Sequence, residues 1–352
     1  MIEASKELRW IRILLTIIAL PVVVIILKTL KDIFIPLIIA IFLMFVFAPL
    51  TAYLKKRQVP LWLIILITLL LLAVAFGVIV LIVYAASNNL ISSLPNYQER
   101  FEQLVADGSL YLQEFSNRID KVSKNFPLMD LNTLLSGSSF SITNTISIAM
   151  NSIMAVMWNL FLILIFMVFM LLEADKIEPR FQKTMSKQSR SNTFSSFVSI
   201  QTQIQNYLTV KSLISLATAL VGMVLMLIFG VDFILVFGIL LFVLNFIPNI
   251  GSVIASTLPI LILFLEKGFC IQVVLFSILI IATQMFFGNI LEPKLQGQRL
   301  NIAPLVVLIS LIFWGWLWGI VGMLICVPLT SAINIILKQI DPDNTISALI
   351  SS

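Results

Sequence analysis

Residues 245–252 read N-F-I-P-N-I-G-S, and residues 288–304 read G-N-I-L-E-P-K-L-Q-G-Q-R-L-N-I-A-P. Between and around them the sequence is strongly apolar, so prolines, glycines and polar side chains interrupt segments that otherwise suit a bilayer interior. In lipid every backbone N–H and C=O needs a partner within the protein, so broken helices survive only where protein or a water-filled cavity covers them. Secondary transporters build binding sites from such breaks. We therefore expect the functional site within residues 245–304.

The composition is that of an integral membrane protein. Of the 352 residues, 60% are hydrophobic and 11% are charged, whereas a soluble domain carries about 25% charged residues. This predicts an all-α, polytopic helical membrane protein embedded in a lipid bilayer. The two cysteines, Cys270 and Cys326, lie in apolar runs and are predicted to be small buried hydrophobes and not a disulfide.

Several function classes are excluded by what the sequence lacks. Histidine is absent, and no metal-ligand spacing or phosphate-binding G-x-x-x-x-G-K-[ST] motif occurs, so no metal site, cofactor or enzyme activity is predicted. The net charge of +5 arises from short basic clusters beside apolar runs. Such clusters set membrane topology, and we do not expect nucleic acid as a partner.

The amino-terminal part, residues 1–85, is predicted to form three transmembrane helices, at 13–27, 33–54 and 61–84. The first is expected to stay uncleaved, because Lys-Thr-Leu-Lys follows it at 28–31 where a signal peptide would have small residues. The basic cluster Lys55-Lys56-Arg57 predicts that the second helix ends in the cytoplasm and that the amino terminus is cytoplasmic.

Two less apolar segments flank a fourth predicted span at 151–172. Residues 86–150 carry six acidic and four basic residues, which predicts an extracytoplasmic insert. A 3-4-3 spacing indicates an amphipathic helix there; its apolar residues are Leu112, Phe115, Ile119 and Val122. Residues 173–211 have a basic excess and a second helical stripe. We interpret them as a cytoplasmic amphipathic connector, which is either a gating helix on the membrane surface or a simple link.

The carboxy-terminal part is predicted to be a transport core at 212–338, followed by a cytoplasmic tail at 339–352. After a fifth span at 213–229, the apolar segments 233–247 and 253–265 would reach only about 20 Å as helices, short of the roughly 30 Å of hydrocarbon. They are either a re-entrant pair or tilted spans. The block 303–337 is too long for one span, so a bend is expected near 315–322, with the tryptophans there at the membrane interface.

Glu292 is the acidic candidate within the central stretch. A carboxylate at membrane depth is costly unless it is used, so Glu292 could carry a proton or bind a cation. It could equally form an ion pair with Lys294 or Arg299 at the cytoplasmic surface, and the chain's basic residues favour a gate at this position. The segment 289–297 is therefore the expected gate, and 245–251 the expected deep part of the site.

The remaining candidates are polar or backbone-breaking residues. Asn245, Asn249 and Asn289 could hydrogen-bond a hydroxylated substrate or cap the broken helices, and Gln284 could face a cavity or a neighbouring helix. Backbone breaks and turns are expected at two prolines and two glycines: Pro248, Pro293, Gly251 and Gly297. The 45-residue spacing between the two prolines, 248 to 293, resembles a weak internal repeat.

Three motifs resemble the autoinducer-2 exporter family: N-F-I-P-N-I-G-S-V-I-A at 245–255, G-N-I-L-E-P-K-L-Q-G at 288–297, and the tryptophan- and glycine-rich run at 308–330. F-M-L-L-E at 169–173 and Y-L-x-x-K at 207–211 extend the resemblance. It implies a bacterial inner-membrane protein with eight transmembrane helices, an extracytoplasmic insert after the third, and a homo-oligomer, plausibly a homopentamer. The implied substrate is a small polar furanosyl-type signal.

The leading hypothesis is a secondary transporter that exports the quorum-sensing signal autoinducer-2 or a similar small polar molecule. Asn245, Asn249, Asn289 and Gln284 would contact the substrate, and Glu292 would couple or gate. Because other members of the family resemble sodium/proton antiporters, a cation/proton antiporter is the alternative, with Asp232 as a second carrier. A non-transporting membrane scaffold is a third hypothesis, disfavoured by polar residues at membrane depth.

Overall fold

The computed structural model describes residues 18–19, 21–85, 97, 99, 100, 103, 157–174, 176, 187–296 and 302–340. The side chains of 187–197, 200 and 338–340 lie outside this description, as do the predicted amphipathic helix of the insert and the tail beyond residue 340. The elements longer than a turn in the described parts are all helices, which confirms the predicted fold class. Seven of these helices are long and apolar enough to cross a membrane.

The amino-terminal helices match their predicted positions. Helix α1 is described over 21–29, α2 is Lys31–Lys56, α3 is Leu61–Ala85 and α4 is Met157–Ala174. Helices α2, α3 and α4 share one apolar core. Its buried residues include Ala40, Ile65, Leu72, Ile163 and Met167. The other faces of these helices expose large apolar side chains such as Trp62 and Leu70, as expected for surfaces in contact with lipid.

Five further helices follow in the described residues of the carboxy-terminal half. They are α5, Lys187–Phe229; α6, Ile234–Leu244; α7, Ile250–Lys267; α8, which begins as Ile271–Met285; and α9, Pro304–Ile340. Helix α8 continues through a π-helical turn, Phe286–Leu291, into a last α-helical turn, Glu292–Gln296. Both cysteines are free, with Cys326 buried and Cys270 partly exposed.

Helix α5 joins two segments that the sequence analysis treated separately. The predicted connector stripe and the predicted fifth span form one helix of 43 residues. At 1.5 Å per residue it is about 64 Å long, roughly twice the hydrocarbon thickness of a bilayer. The chain turns at its far end, where Gly230 has a φ of 68°. The predicted connector and the predicted fifth span are therefore continuous over the described residues.

Helices α6 and α7 form a re-entrant hairpin, which we call hairpin 1. Its open end lies beside the end of α5, because Lys267 Nζ donates a hydrogen bond to the Phe229 carbonyl at 2.7 Å. At its tip, Asn245 Nδ2 donates to Ser215 Oγ at 3.0 Å. Ser215 precedes Phe229 by fourteen helical residues, or about 21 Å, so the tip stops inside the roughly 30 Å hydrocarbon layer. Of the two interpretations left open by the sequence, the structure favours the re-entrant pair.

The tip of hairpin 1 depends on a strained turn and on a close backbone approach. Asn249 has φ 58° and ψ −52°, and Ile250 N–H bonds to the Pro248 carbonyl at 2.6 Å, so the chain makes a rare positive-φ γ-turn. Gly251 lies inside α7, where a Cβ would collide with the Leu244 carbonyl. The prediction that Gly251 lets the backbone turn is wrong, because the residue with a positive φ in this turn is Asn249.

Helix α9 contains a second hairpin. Gly319 has non-helical angles, φ 64° and ψ −143°, and Trp314 Nε1 lies 3.4 Å from Thr330 Oγ1. In a straight helix these residues would be about 24 Å apart, so the chain reverses at Gly319. We call this hairpin 2, and it confirms the bend predicted near 315–322. Trp314 and Trp318 are buried, whereas Trp316 is exposed, so the prediction that the tryptophans anchor the membrane interface is wrong for the first two.

The two hairpins enter from opposite ends of the helical assembly. Helix α8 starts beside the open end of hairpin 1, only four residues after Lys267. It carries the chain to the other end, where hairpin 2 begins at Pro304. The tip of hairpin 2 lies against the junction of α1 and α2, since Trp318 Nε1 donates to the Leu27 carbonyl at 3.1 Å.

Tyr97, from the segment after α3, contacts the open end of hairpin 1. Its hydroxyl lies 3.0 Å from Asp232 Oδ2 and 3.0 Å from Glu266 Oε1. Burial, the hydrogen bond to Asp232 and the charge of Glu266 raise the pKa of Tyr97 well above its ordinary value. The hydroxyl therefore stays protonated and able to donate, and it ties the insert to the base of the hairpin.

The close approach at Gly251 can be tested by substitution. We expect Gly251→Ala to lower the free energy of unfolding by about 2–3 kcal/mol, because the added methyl group must displace backbone. Gly77→Ala is the control, since a Cβ at Gly77 meets nothing within 4 Å. Thermal unfolding in detergent compares the two variants, and equal melting temperatures would contradict the packing described here.

The reversal at Gly319 can be tested by cross-linking in a Cys270→Ser, Cys326→Ala background. A Cβ on Gly315 would lie 2.9 Å from Met323 Cγ, so Gly315→Cys with Met323→Cys should form a disulfide on mild oxidation. A straight helix would place these positions about 12 Å apart, too far for a disulfide. Leu66→Cys with Val74→Cys, spaced identically along α3, is the control, and comparable loss of free thiols in both pairs would disprove hairpin 2.

Candidate functional site

A cavity of about 790 Å³ lies where the tip of hairpin 1 meets α5, α8 and the open end of hairpin 2. Most of the predicted site residues line it: Asn245, Pro248, Asn249, Gln284, Asn289, Glu292 and Pro293. Gly251 is buried behind the wall, and Lys294 is exposed outside it. Gly297 and Arg299 lie outside the described residues. The structure thus brings together polar residues from both ends of the central stretch.

An ion pair between Lys211 of α5 and Glu292 of α8 forms one wall of the cavity. Lys211 Nζ lies 2.8 Å from Oε1 and 2.7 Å from Oε2 of Glu292, and the lysine is only 5% exposed. Gln296 Nε2 also donates to Glu292 Oε1, at 3.1 Å. An ion pair this buried must be matched and hydrogen-bonded to offset its desolvation, and this geometry meets that requirement.

The partner of Glu292 therefore differs from the predicted one. We expected Lys294 or Arg299, but Lys294 projects from the exposed side of the last turn of α8. A residue two positions along a helix faces away from the first, so the two side chains cannot readily pair. Lys211 was recognisable in the sequence as an isolated lysine that precedes an apolar run. Its contact with Glu292 spans 81 residues, which local pattern cannot reveal.

A π-helical turn at 286–291 directly precedes Glu292. A proline at position 293 lacks an N–H, and in a regular helix its ring would collide with the carbonyl of Asn289. The wider π-helical turn accommodates this, as such turns often do at functional sites. It exposes Asn289 in the cavity wall. Pro248 occupies a hairpin tip instead, so the two prolines of the proposed repeat are not structurally equivalent.

The asparagines do not cap helices through their side chains. Asn245 uses its amide to bind Ser215 of α5, and Asn249 precedes α7 without a side-chain capping bond. Asn289 lies within the π-helical turn and not at a helix end. Asn245 and Asn249 thus occupy the C-cap position of α6 and the N-cap position of α7 without a side-chain capping bond, and the capping interpretation is wrong for Asn289. Asn249 and Asn289 are exposed to the cavity, while Asn245 holds the tip of hairpin 1 against α5.

Gln284 faces the cavity, which resolves the alternative left open by the sequence. Only 8% of the residue is exposed, and its Nε2 is buried without a hydrogen-bond partner among the described residues. An unpaired buried donor is costly, and each such group calls for an explanation. A solute in the cavity would supply the missing acceptor.

Several residues that line the cavity were not predicted from the sequence. On α7 these are Ser252, Ser256 and Thr257, and on α5 they are Tyr207 and Lys211. Four of them could have been found from their spacing in the sequence. Positions 252 and 256, and likewise 207 and 211, are four residues apart, which places each pair on one face of its helix. Apolar residues of hairpin 2, such as Val307 and Val327, complete the wall. The cavity therefore combines an apolar wall with a compact polar one.

A cavity with one polar wall, bordered by two hairpins in a multi-span protein, is a feature that secondary transporters share. The sequence profile of the AI-2E family transporter matches residues 14–341. The chain belongs to the AI-2E transporter family. This confirms the resemblance seen in the sequence and makes the chain a membrane transport protein of a bacterial family.

Three relatives of this chain align with most of its length. The chain is 33% identical to the AI-2 transport protein TqsA of Escherichia coli, over 91% of this chain and 90% of the relative. It is 32% identical to a protein of Haemophilus influenzae that is also named for transport, over 92% of both chains. A Borreliella burgdorferi protein named in the same way is 32% identical over 89% of this chain and 83% of the relative.

The coupling between Lys211 and Glu292 can be measured by a double-mutant cycle. We expect Lys211→Met or Glu292→Met alone to cost about 3 kcal/mol of unfolding free energy, because each leaves a buried charge without its partner. The double variant Lys211→Met, Glu292→Met should recover most of this loss. Lys294→Met, at an exposed position, is the control and should change stability by less than about 0.5 kcal/mol. Additive losses in the double variant would contradict the pair.

Proposed function

We propose that this protein is a secondary transporter that exports autoinducer-2, or a similar small polar molecule, across the inner membrane. The observation that carries the proposal is the cavity formed where the tip of hairpin 1 stops inside the bilayer thickness. Its polar wall comes from Asn249, Gln284, Asn289 and neighbouring hydroxyl groups. The relative named for AI-2 transport, which aligns over 91% of this chain, supports this choice of substrate.

The two hairpins suggest how the cavity changes access. Hairpin 1 covers the cavity from one end of the assembly, and hairpin 2 borders it from the other. Movement of either hairpin relative to α5 and α8 would open the cavity to one side at a time. In this mechanism Lys211 and Glu292 hold α5 against the π-helical turn, so that α5 and α8 stay together while the hairpins move.

The ion pair also weighs against the antiporter alternative. A carboxylate that carries protons or sodium ions must be free to exchange them, whereas both oxygens of Glu292 bind Lys211 and one also binds Gln296. A scaffold, the third alternative, has no use for a polar cavity at membrane depth. The proposed orientation has the amino terminus and the Lys55–Arg57 cluster in the cytoplasm, and homo-oligomeric assembly, plausibly a pentamer, is part of the same proposal.

Export can be tested with everted inner-membrane vesicles, in which an exporter drives uptake. We expect vesicles that contain the protein to accumulate autoinducer-2 faster than vesicles without it. Asn289→Leu should reduce this uptake about threefold to tenfold, as expected for the loss of one hydrogen bond to the substrate. Gln203→Leu is the control, because Gln203 bonds Ser199 on the exposed surface of α5. Equal uptake with and without the protein would rule out the exporter.

A further inference from the structure

The hydroxyl groups that α7 presents to the cavity have their protons bound within the helix. On α7, Ser252 Oγ donates to the Asn249 carbonyl at 2.9 Å, and Thr257 Oγ1 donates to the Val253 carbonyl at 2.8 Å. Ser256 Oγ likewise donates to the Ser252 carbonyl at 2.8 Å. Each hydroxyl proton is therefore used within the helix, while the oxygen lone pairs remain. This wall can accept hydrogen bonds from a solute but has little to donate.

Gln284 supplies the opposite capacity from the facing wall. Its Nε2 carries two N–H donors, is buried, and has no acceptor within the described residues. The side chain is more than nine-tenths buried, so water cannot fully compensate. A donor held in this way requires an acceptor oxygen on whatever fills the cavity.

The charges of the cavity cancel. Lys211 and Glu292 are the charged residues in its described lining, and they bind each other through both carboxylate oxygens. An ionic solute would lose its hydration without meeting a free counter-charge, which is strongly unfavourable. The site is therefore suited to an uncharged solute.

We infer that Gln284 is the specificity-determining residue of this cavity, and that it donates its amide hydrogens to an acceptor oxygen of an uncharged, hydroxylated solute. Hydroxyl groups of the same solute donate to the serine and threonine oxygens of α7. The acceptor is a carbonyl, ring-ether or hydroxyl oxygen. This inference rests on the proposed transport function, because it assigns the solute class and the recognising residue of the same cavity.

The first test measures stability without solute. Because the amide nitrogen is unpaired, Gln284→Met should keep or raise the thermal unfolding temperature of the purified protein. Gln272→Met is the control on the same helix, where Gln272 Oε1 accepts a hydrogen bond from Lys267 at 3.1 Å. A clear fall in melting temperature for Gln284→Met alone would show that the amide has a partner in the protein, and would overturn the inference.

The second test measures autoinducer-2 uptake into everted vesicles. We expect Gln284→Met and Gln284→Glu to reduce uptake at least about tenfold, because both remove the donor, while Gln272→Met stays at the wild-type rate. Full uptake by Gln284→Glu would show that the side chain accepts and does not donate. Full uptake by Gln284→Met would overturn the specificity role while leaving the exporter intact. No uptake by the wild type would overturn the exporter, and the inference would fall with it.

The third test addresses the charge of the solute. Ribose and ribose 5-phosphate share a ring oxygen and hydroxyl groups but differ by the phosphate charge. We expect excess ribose to inhibit autoinducer-2 uptake by the wild type more strongly than ribose 5-phosphate does. Equal inhibition, or stronger inhibition by the phosphate, would overturn the assignment of an uncharged solute.

Discussion

Backbone hydrogen bonding inside a bilayer is the constraint on which this structure depends. A chain that breaks its helix in lipid must provide partners for the freed N–H and C=O groups, and here the break at 245–249 borders a cavity. Asn245 holds the tip through Ser215, the γ-turn at Asn249 closes the chain on itself, and the absence of a side chain at Gly251 lets Leu244 approach. The cavity exists because the break is placed there.

Helix α5 is the frame against which both hairpins are positioned. Within a little more than one helical turn it presents Lys211 to α8 and Ser215 to hairpin 1. Nearby Tyr207 and Leu208 belong to the apolar core that includes hairpin 2. A single helix thus contacts the tip of one hairpin, the π-helical turn and the other hairpin. Its length is about twice that of an ordinary span.

The sequence predicted the features that depend on local chemistry. Apolar length predicted the helices, the prolines and glycines of the central stretch predicted the break at 245–249, and the glycine-rich run at 308–330 predicted the bend now placed at Gly319. We also expected the asparagines, Gln284 and Glu292 to lie around one site, and they line one cavity. Their transport roles remain predictions. Membership of the AI-2E family could be predicted because its motifs are long and contiguous.

Features that depend on distant contacts were missed. The ion pair joins residues 81 positions apart, and nothing in the sequence distinguishes Lys211 from the nearer Lys294 as the partner of Glu292. Side-chain capping was a reasonable expectation for asparagines beside broken helices. The amide of Asn245 instead bonds Ser215, and Asn289 lies within the π-helical turn and not at a helix end. The tryptophans near Gly319 were expected at the interface, and the reversal of the chain buries two of them instead.

The mutual neutralisation of Lys211 and Glu292 has an electrical consequence. Moving one elementary charge across a membrane potential of 100 mV involves about 2.3 kcal/mol, which would bias any carrier whose binding site were charged. Two opposite charges that travel together through the same field do no net electrical work. A cavity organised around this pair, and filled by an uncharged solute, would reorient with equal ease in an energised and a depolarised membrane. The direction of net flux would then follow the concentration gradient of the solute itself.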